Sequence, residues 1–271
     1  MDRQQLEYKI PEVPRPHRAP RRHRGLHKRA TLHARRCESP KPHFRPRPKI
    51  RPELAISVIP HDRDGEAARA YSALQRETYA RHGVVRAKDT SDRCMRSCTH
   101  LILARREDGA VMGGLRIHRR LFGPLPIEAA LPSSTRLAAL LTELDSPVEL
   151  SGTAVCQSAR KTGLAHQLVR VAVAAIPVVG GRSALGFGHQ HVLALYRRFG
   201  FMSDPRAGCH AYPDSRYRSS VAVLRDPSAL TTVALAERRP ILRLRQAIAR
   251  DEIPPWRYPA MTQQTTDGVA S

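Results

Sequence analysis

The sequence predicts a mixed α/β sheet in one domain, and three observations carry that expectation. Short β-type runs alternate with runs of helical period between residues 51 and 227, and one strand pair brackets an Asp-Gly turn. The resulting order is β-α-β-β-insert-β-α-β-α-β, which mixes hairpin and crossover connections. No internal repeat is visible.

Leu54–Ile59 is a β-type run ended by Pro60, and Asp62 or Asp64 offers a cap for the next helix. From Gly65 to Arg81 the positions Ala67, Ala70, Tyr71, Leu74 and Thr78 recur at three- and four-residue steps, the period of one helical face; Gly83 closes the run. A polar loop covers Lys88–Arg96. Thr99–Ala104 and Val111–Ile117 then flank Glu107-Asp108-Gly109, where the Asp-Gly pair supplies positive φ at little cost, so an antiparallel hairpin is expected. Residues 121–146 hold Pro124, Pro126 and Pro132 ahead of a helical run at Thr135–Leu144, and read as an insertion covering one face of the sheet. Val148–Val155 is the next strand, Gly163–Ala175 a helix, Ser183–Phe187 a strand, Gln190–Phe199 a helix and Ser220–Leu224 the last strand. Residues 228–271 are expected as a C-terminal extension, with a short helix from Ser228, a second at Ile241–Ile253 and a disordered end. The arginines of that extension read as a solvated face.

Charge is uneven along the chain. Residues 1–50 hold 15 Lys and Arg against 4 Asp and Glu, a net of +11, half of the formal +22 of the whole chain. Rich in Pro, Arg and His and poor in patterned apolar residues, this arm cannot bury enough surface to offset the entropy of ordering it, and disorder is expected. Such an arm suits contact with nucleic acid or an anionic surface, or is a solvated tail or the product of a start placed too far upstream. It has no apolar core of the kind a secretory signal needs. The longest apolar stretch, Leu168–Val179, is interrupted by Arg170 and Pro177 and is shorter than the roughly 20 residues a bilayer requires. Five scattered cysteines suggest no disulfide framework, and Cys94-x-x-x-Cys98 with His100 lacks the second ligand pair of a zinc site. A reduced, cytoplasmic protein without bound metal is therefore expected.

Residues 147–201 carry the chemistry. A strand opening through Arg160-Lys161-Thr162-Gly163-Leu164-Ala165 into a helix points several backbone N–H groups, and the positive end of the helix dipole, at one spot. That is an anion cradle, in which Gly163 allows close approach; the competing reading is an ordinary strand-to-helix loop capped by Thr162. One strand later comes Tyr196-Arg197-Arg198-Phe199-Gly200-Phe201. Tyr196 also reads as a core residue, packed with Val192 and Leu195 on an amphipathic helix.

The pair of motifs resembles the Q/R-x-x-G-x-G/A cradle and the Y-x-x-x-G-F helix end of the GNAT superfamily of N-acetyltransferases. The resemblance implies a mostly antiparallel central sheet with flanking helices, splayed at the acyl-thioester site, and acyl-CoA or an acyl carrier protein as co-substrate. It implies donor contacts from Val155, Arg160, Lys161, Thr162, Gly163, Leu164, Ala165 and His189, the last standing where the family often has Asn. Tyr196 would donate a proton to the leaving thiolate, and Glu149 on the preceding strand would be the base that takes the amine's proton. The alternative for Glu149 is a surface glutamate on an edge strand.

Further matches narrow the branch. Asp89-Thr90-Ser91-Asp92, His100-Leu101-Ile102-Leu103-Ala104-Arg105, Val111-Met112-Gly113-Gly114-Leu115-Arg116-Ile117, Leu125-Pro126-Ile127-Glu128 and Glu149-Leu150-Ser151 resemble segments of the autoinducer synthases and N-acyl amino acid synthases. That resemblance implies Asp89, Asp92 and Arg116 at the acceptor site, an amino acid or related small amine as acceptor, and an acidic carrier protein as a donor suited to the remaining +11 charge. Gly152 stands where those families have an arginine, Ser91 where they have an aromatic, and the only tryptophan is Trp256. The chain therefore reads as a generic N-acyltransferase of that branch. Two alternatives stand beside it: an acetyl-CoA-dependent acetyltransferase of a small amine or protein, and a non-catalytic nucleic-acid-associated protein. The apolar residues Leu121, Phe122, Leu125, Leu131, Leu137, Leu140 and Leu141 permit either a long-chain pocket or ordinary packing.

Overall fold

The computed structural model describes residues 54–84, 96–120 and 123–250, and the backbone of 256–257. The basic arm, the polar loop with Asp89 and Asp92, Leu121, Phe122 and the last residues lie outside these. Within them the expected order is observed: β1 (Leu54–Pro60), α1 (Gly65–Arg81), β2 (Cys98–Arg106), β3 (Val111–Arg119), α2 (Pro126–Ala130), α3 (Thr135–Glu143), β4 (Pro147–Val155), α4 (Leu164–Val178), β5 (Ser183–His189), α5 (Gln190–Arg197), β6 (Met202–Ser203), β7 (Cys209–Ala211), β8 (Arg218–Leu224), α6 (Leu235–Ala249) and β9 (Trp256–Arg257). Asp64, not Asp62, caps α1 by accepting the Ala67 N–H at 2.9 Å.

The strands form one sheet in the order β6-β8-β5-β4-β3-β2-β1-β9, with β7 also on β8. Every pairing is antiparallel except β4 with β5, so the mixed, mostly antiparallel sheet is as expected. The parallel pair is short. It runs from Pro147↔Ser183 to Leu150↔Gly186 and stops, after which β4 continues to Val155 against β3 and β5 continues to His189 against β8. The sheet is thus split into a V between Ser151–Val155 and Phe187–His189.

Two-residue alternation sorts the faces. Leu115, Ile117, Val148 and Leu150 join Leu168, Ala172 and Ile176 of α4 in the main core. Ten of the fifteen residues of α4 are buried, because α6 covers its outer side with Ile241 and Leu244. On the other face α1 buries Ala67, Tyr71 and Gln75, while Ala70 of the expected stripe is exposed. A second cluster joins Leu125, Leu137, Leu140 and Leu141 to Leu185, Val221 and Val223, so the insertion does cover the β5/β8 part of the sheet and spends these leucines on packing.

The C-terminal extension departs from expectation. One helix, α6, runs from Leu235 to Ala249 through Pro240. Residues 228–233 are held as turns by Arg238 and Arg245, whose guanidinium groups donate to the carbonyls of Val233 and Ser228 at 3.0 Å each. No described helix is long and apolar enough to cross a membrane.

Candidate active site

The V opens on a cavity of about 240 Å³. Glu149, Ser151, Gly152 and Thr153 of β4 and Phe187, Gly188 and His189 of β5 line its two arms, and Tyr196 lies at its apex. Tyr79, Tyr212 and Tyr217 close the outside, with Pro126 and Ala130 of α2.

Tyr196 owes its place to Gly186. A Cβ there would sit 2.3 Å from Cε2 of the ring, so only glycine lets the aromatic lie over the strand at the last parallel pair. Its hydroxyl is 3.2 Å from Thr153 Oγ1 and donates weakly to the Leu150 carbonyl at 3.5 Å. Burial pushes the phenol up to about 12, with the nearby Glu149 charge adding to the rise and the Thr153 hydrogen bond opposing it. The phenol therefore stays protonated through neutral pH, where its hydroxyl is a hydrogen-bond donor. Tyr196 is a core residue as well, in the cluster against which Leu195 packs as expected, while Val192 is 38 % exposed and Leu193 is the other buried residue of α5.

Glu149 is 3 % exposed on a central strand, which overturns the alternative of a surface edge glutamate. Its Oε2 accepts the Ile127 N–H at 2.9 Å, tying the carboxylate to the start of α2. A bulge follows it. Arg116 pairs with Ser151 but Gly114 with Ala154, so three steps on β4 match two on β3. Gly152 takes φ +67 in this bulge and accepts a hydrogen bond from the Tyr71 hydroxyl. An arginine at 152 would have to adopt the left-handed region, which explains its replacement.

The strand leaves the V into a 3₁₀ turn, Gln157–Ala159, and then into the cradle. Lys161 and Gly163 both have positive φ, +61 and +86. Gly163 is the N-cap of α4, and nothing lies within 4 Å of where its Cβ would be, so the space above the helix start is open. Thr162 is not the cap; its hydroxyl donates back to the Ala159 carbonyl at 2.7 Å. The first amides of α4, from Leu164, Ala165 and His166, have no partner inside the helix and face outward. Arg160 is half-buried and Lys161 exposed beside them, while Val155 ends β4. His189 ends β5 at the start of α5 with its ring centroid 5.0 Å from that of His191.

The structure therefore brings Glu149, Tyr196 and His189 to one cavity and places Arg160–Ala165 at the end of the same strand. Arg116 is turned away from the cavity's edge. It is 1 % exposed, donates to Gln75 and to Ser72 Oγ at 3.0 Å, and sits 4.9 Å from the Tyr71 ring centroid. Its role is to join α1 to the sheet. Sequence reasoning missed His118, fully buried next to the cavity, and the alternation Gly114, Arg116, His118 was the signal that shared a face with Glu149 and Ser151.

This is the fold of the GNAT acyltransferases. Two solved proteins share it over most of their own length. FeeM, an N-acyl amino acid synthase from uncultured soil microbes, matches with a TM-score of 0.55 at 14% sequence identity, over 69% of this chain and 99% of that one. BjaI, a CoA-dependent acyl-homoserine lactone synthase, matches in its structure with MTA at a TM-score of 0.53 and 14% identity, over 69% of this chain and 89% of that one. A second BjaI structure, with SAM and isopentyl-CoA, matches at 0.51. No family model and no curated protein matches the chain.

Proposed function

We propose that the protein is an N-acyltransferase that moves an acyl group from a thioester, acyl-CoA or acyl carrier protein, to the amine of a small molecule such as an amino acid or its derivative. The observation that carries this reading is the V between β4 and β5 with Tyr196 at its apex and a helix start at the end of the same strand. The side of β4 that faces β5 beyond Leu150, where the parallel ladder has ended, suits hydrogen bonds to an extended amide-bearing arm. The amides from Leu164 on, with Arg160 and Lys161, suit its phosphates. The acyl carbonyl then lies in the cavity beside Glu149, whose carboxylate draws in and orients the acceptor's ammonium. As the tetrahedral centre collapses, the C–S bond breaks and the sulfur takes the Tyr196 proton.

The cavity's size, about 240 Å³, and its aromatic lining with Tyr79, Tyr212 and Tyr217 suit a small acceptor. The test is mass spectrometry of products after the full chain meets acetyl-, octanoyl- and carrier-bound donors with mixed amines. Amide products are expected; their absence with every donor overturns the reading.

A further inference from the structure

We infer that the acceptor's proton leaves through Ser151 to His118, a buried relay behind the cavity wall, rather than onto Glu149. This rests on the acyl-transfer reading and assigns the base of the same site.

Ser151 lines the cavity on the β4 arm of the V. Its Oγ is 2.9 Å from His118 Nε2, and His118 Nδ1 is 3.1 Å from Ser97 Oγ. His118 is 0 % exposed, as is Ser97, and the imidazole is held at both nitrogens, with Ser151 joining it to the cavity. The relay requires the tautomer with the proton on Nδ1, donating to Ser97, which leaves Nε2 to accept from the Ser151 hydroxyl. The outward side of the Ser151 oxygen then accepts from whatever fills the cavity. A hydroxyl that donates to a base on one side and accepts on the other is a proton conduit.

Glu149 is poorly suited to be the final proton acceptor and well suited to support one. Its carboxylate is already held as an acceptor by the Ile127 N–H. In register it pairs with His118 across β3 and β4, which brings the two side chains to the same face a few ångströms apart. A fixed anion beside the ring stabilises the imidazolium that forms. Among the described residues, Arg116 lies two residues away on the same face and opposes protonation; it donates to Gln75 and sits over the Tyr71 ring of α1.

The step balances as follows. The acceptor ammonium gives one proton to Ser151 Oγ while the serine's own proton passes to His118 Nε2. The free amine's nitrogen forms the C–N bond to the thioester carbon. Collapse breaks C–S, the nitrogen sheds its second proton, and the sulfur is protonated by Tyr196, which that second proton restores. One proton remains on His118 and returns through Ser151 to solvent once product leaves. In this reading Ser151 touches the substrate, and His118 acts through it.

The test is the pH dependence of kcat/KM for the full chain with octanoyl-CoA and the amine acceptor that gives most product. The wild type is expected to rise with pH through one ascending limb set by the relay. In Ser151→Ala and in His118→Gln, kcat/KM is expected to fall by about 100-fold or more at pH 7, the size of a lost general base, and the limb to move up to the acceptor amine's own range. Binding of CoA, followed by calorimetry, is expected to stay within threefold in both variants, which shows that they are folded. Ser151→Ala removes one oxygen and carries the test if His118→Gln fails to fold. Variants within threefold of wild type, or a lowered rate with the limb unmoved, overturn the relay while leaving acyl transfer standing. No turnover by the wild type overturns both.

Discussion

Tyr196 is held by a glycine it cannot do without. With a Cβ only 2.3 Å from the ring, Gly186→Ala is expected to displace the phenol, destabilise the protein by about 1–3 kcal/mol through overpacking, and lower turnover more than Tyr196→Phe does. Chemical denaturation and steady-state kinetics of the two variants check this. The phenol's own titration gives a second outcome. Because its value in the fold is raised from 10 to about 12, the unfolded chain ionises first, so the stability linked to this group is complete below pH 10 and is lost as pH rises through about 12. Wild type and Tyr196→Phe are therefore expected to differ in the pH dependence of stability only above pH 10, by roughly 3 kcal/mol at most. Denaturation curves between pH 8 and 11.5 read the difference. At this scale the sequence was legible where the signal is local. Gly163 and Tyr196 stand in short motifs, and both are where those motifs place them. His118 was not legible, since its partners Ser97 and Ser151 are 21 and 33 residues away and only strand register brings them together.

Among the elements, β4 does most to define the site. Its bulge turns the strand after Glu149 and Ser151, and the φ of +67 at Gly152 makes that turn dependent on glycine. Gly152→Ala is expected to cost about 1–2 kcal/mol and to loosen the Tyr71 contact, weakening donor binding as well. Thermal unfolding and CoA titration measure the two effects. The extension α6 is the second element with a testable consequence. Glu237, 1 % exposed on α6, lies 2.7 Å from Arg170 of α4, 3.0 Å from Arg198 and 3.1 Å from His166. Removing the buried carboxylate takes away the group that Arg170, Arg198 and His166 share between α4, the end of α5 and α6, so Glu237→Ala is expected to destabilise by about 3 kcal/mol and to expose α6 to proteolysis. Limited digestion followed by mass spectrometry checks this, and an undigested α6 would contradict it. The start of α6 escaped the sequence because Pro240 reads as a boundary. The long helices and strands of the sheet were legible because their apolar periods are uninterrupted. The two- and three-residue strands β6 and β7 have no period to read and exist only because β8 pairs with them.

Across the whole molecule, a parallel pair of four residues, from Pro147↔Ser183 to Leu150↔Gly186, inside an otherwise antiparallel sheet lets two strands part, and the cavity with Glu149, His189 and Tyr196 lies where they separate. The order of elements was legible from alternation and turn residues. The split itself was implied only by resemblance, because no pattern in β4 or β5 alone states where pairing ends. The basic arm carries half of the chain's net charge and lies outside the described residues. The most direct test of the central claim is hydrogen–deuterium exchange of the full chain with and without coenzyme A. The split sheet predicts slowed exchange in two separate segments, 151–155 on β4 beyond its ladder with β5 and 161–166 at the start of α4, with β1 and β2 unchanged. Unchanged exchange in both segments at saturating coenzyme A, or protection confined to another part of the sheet, would contradict it.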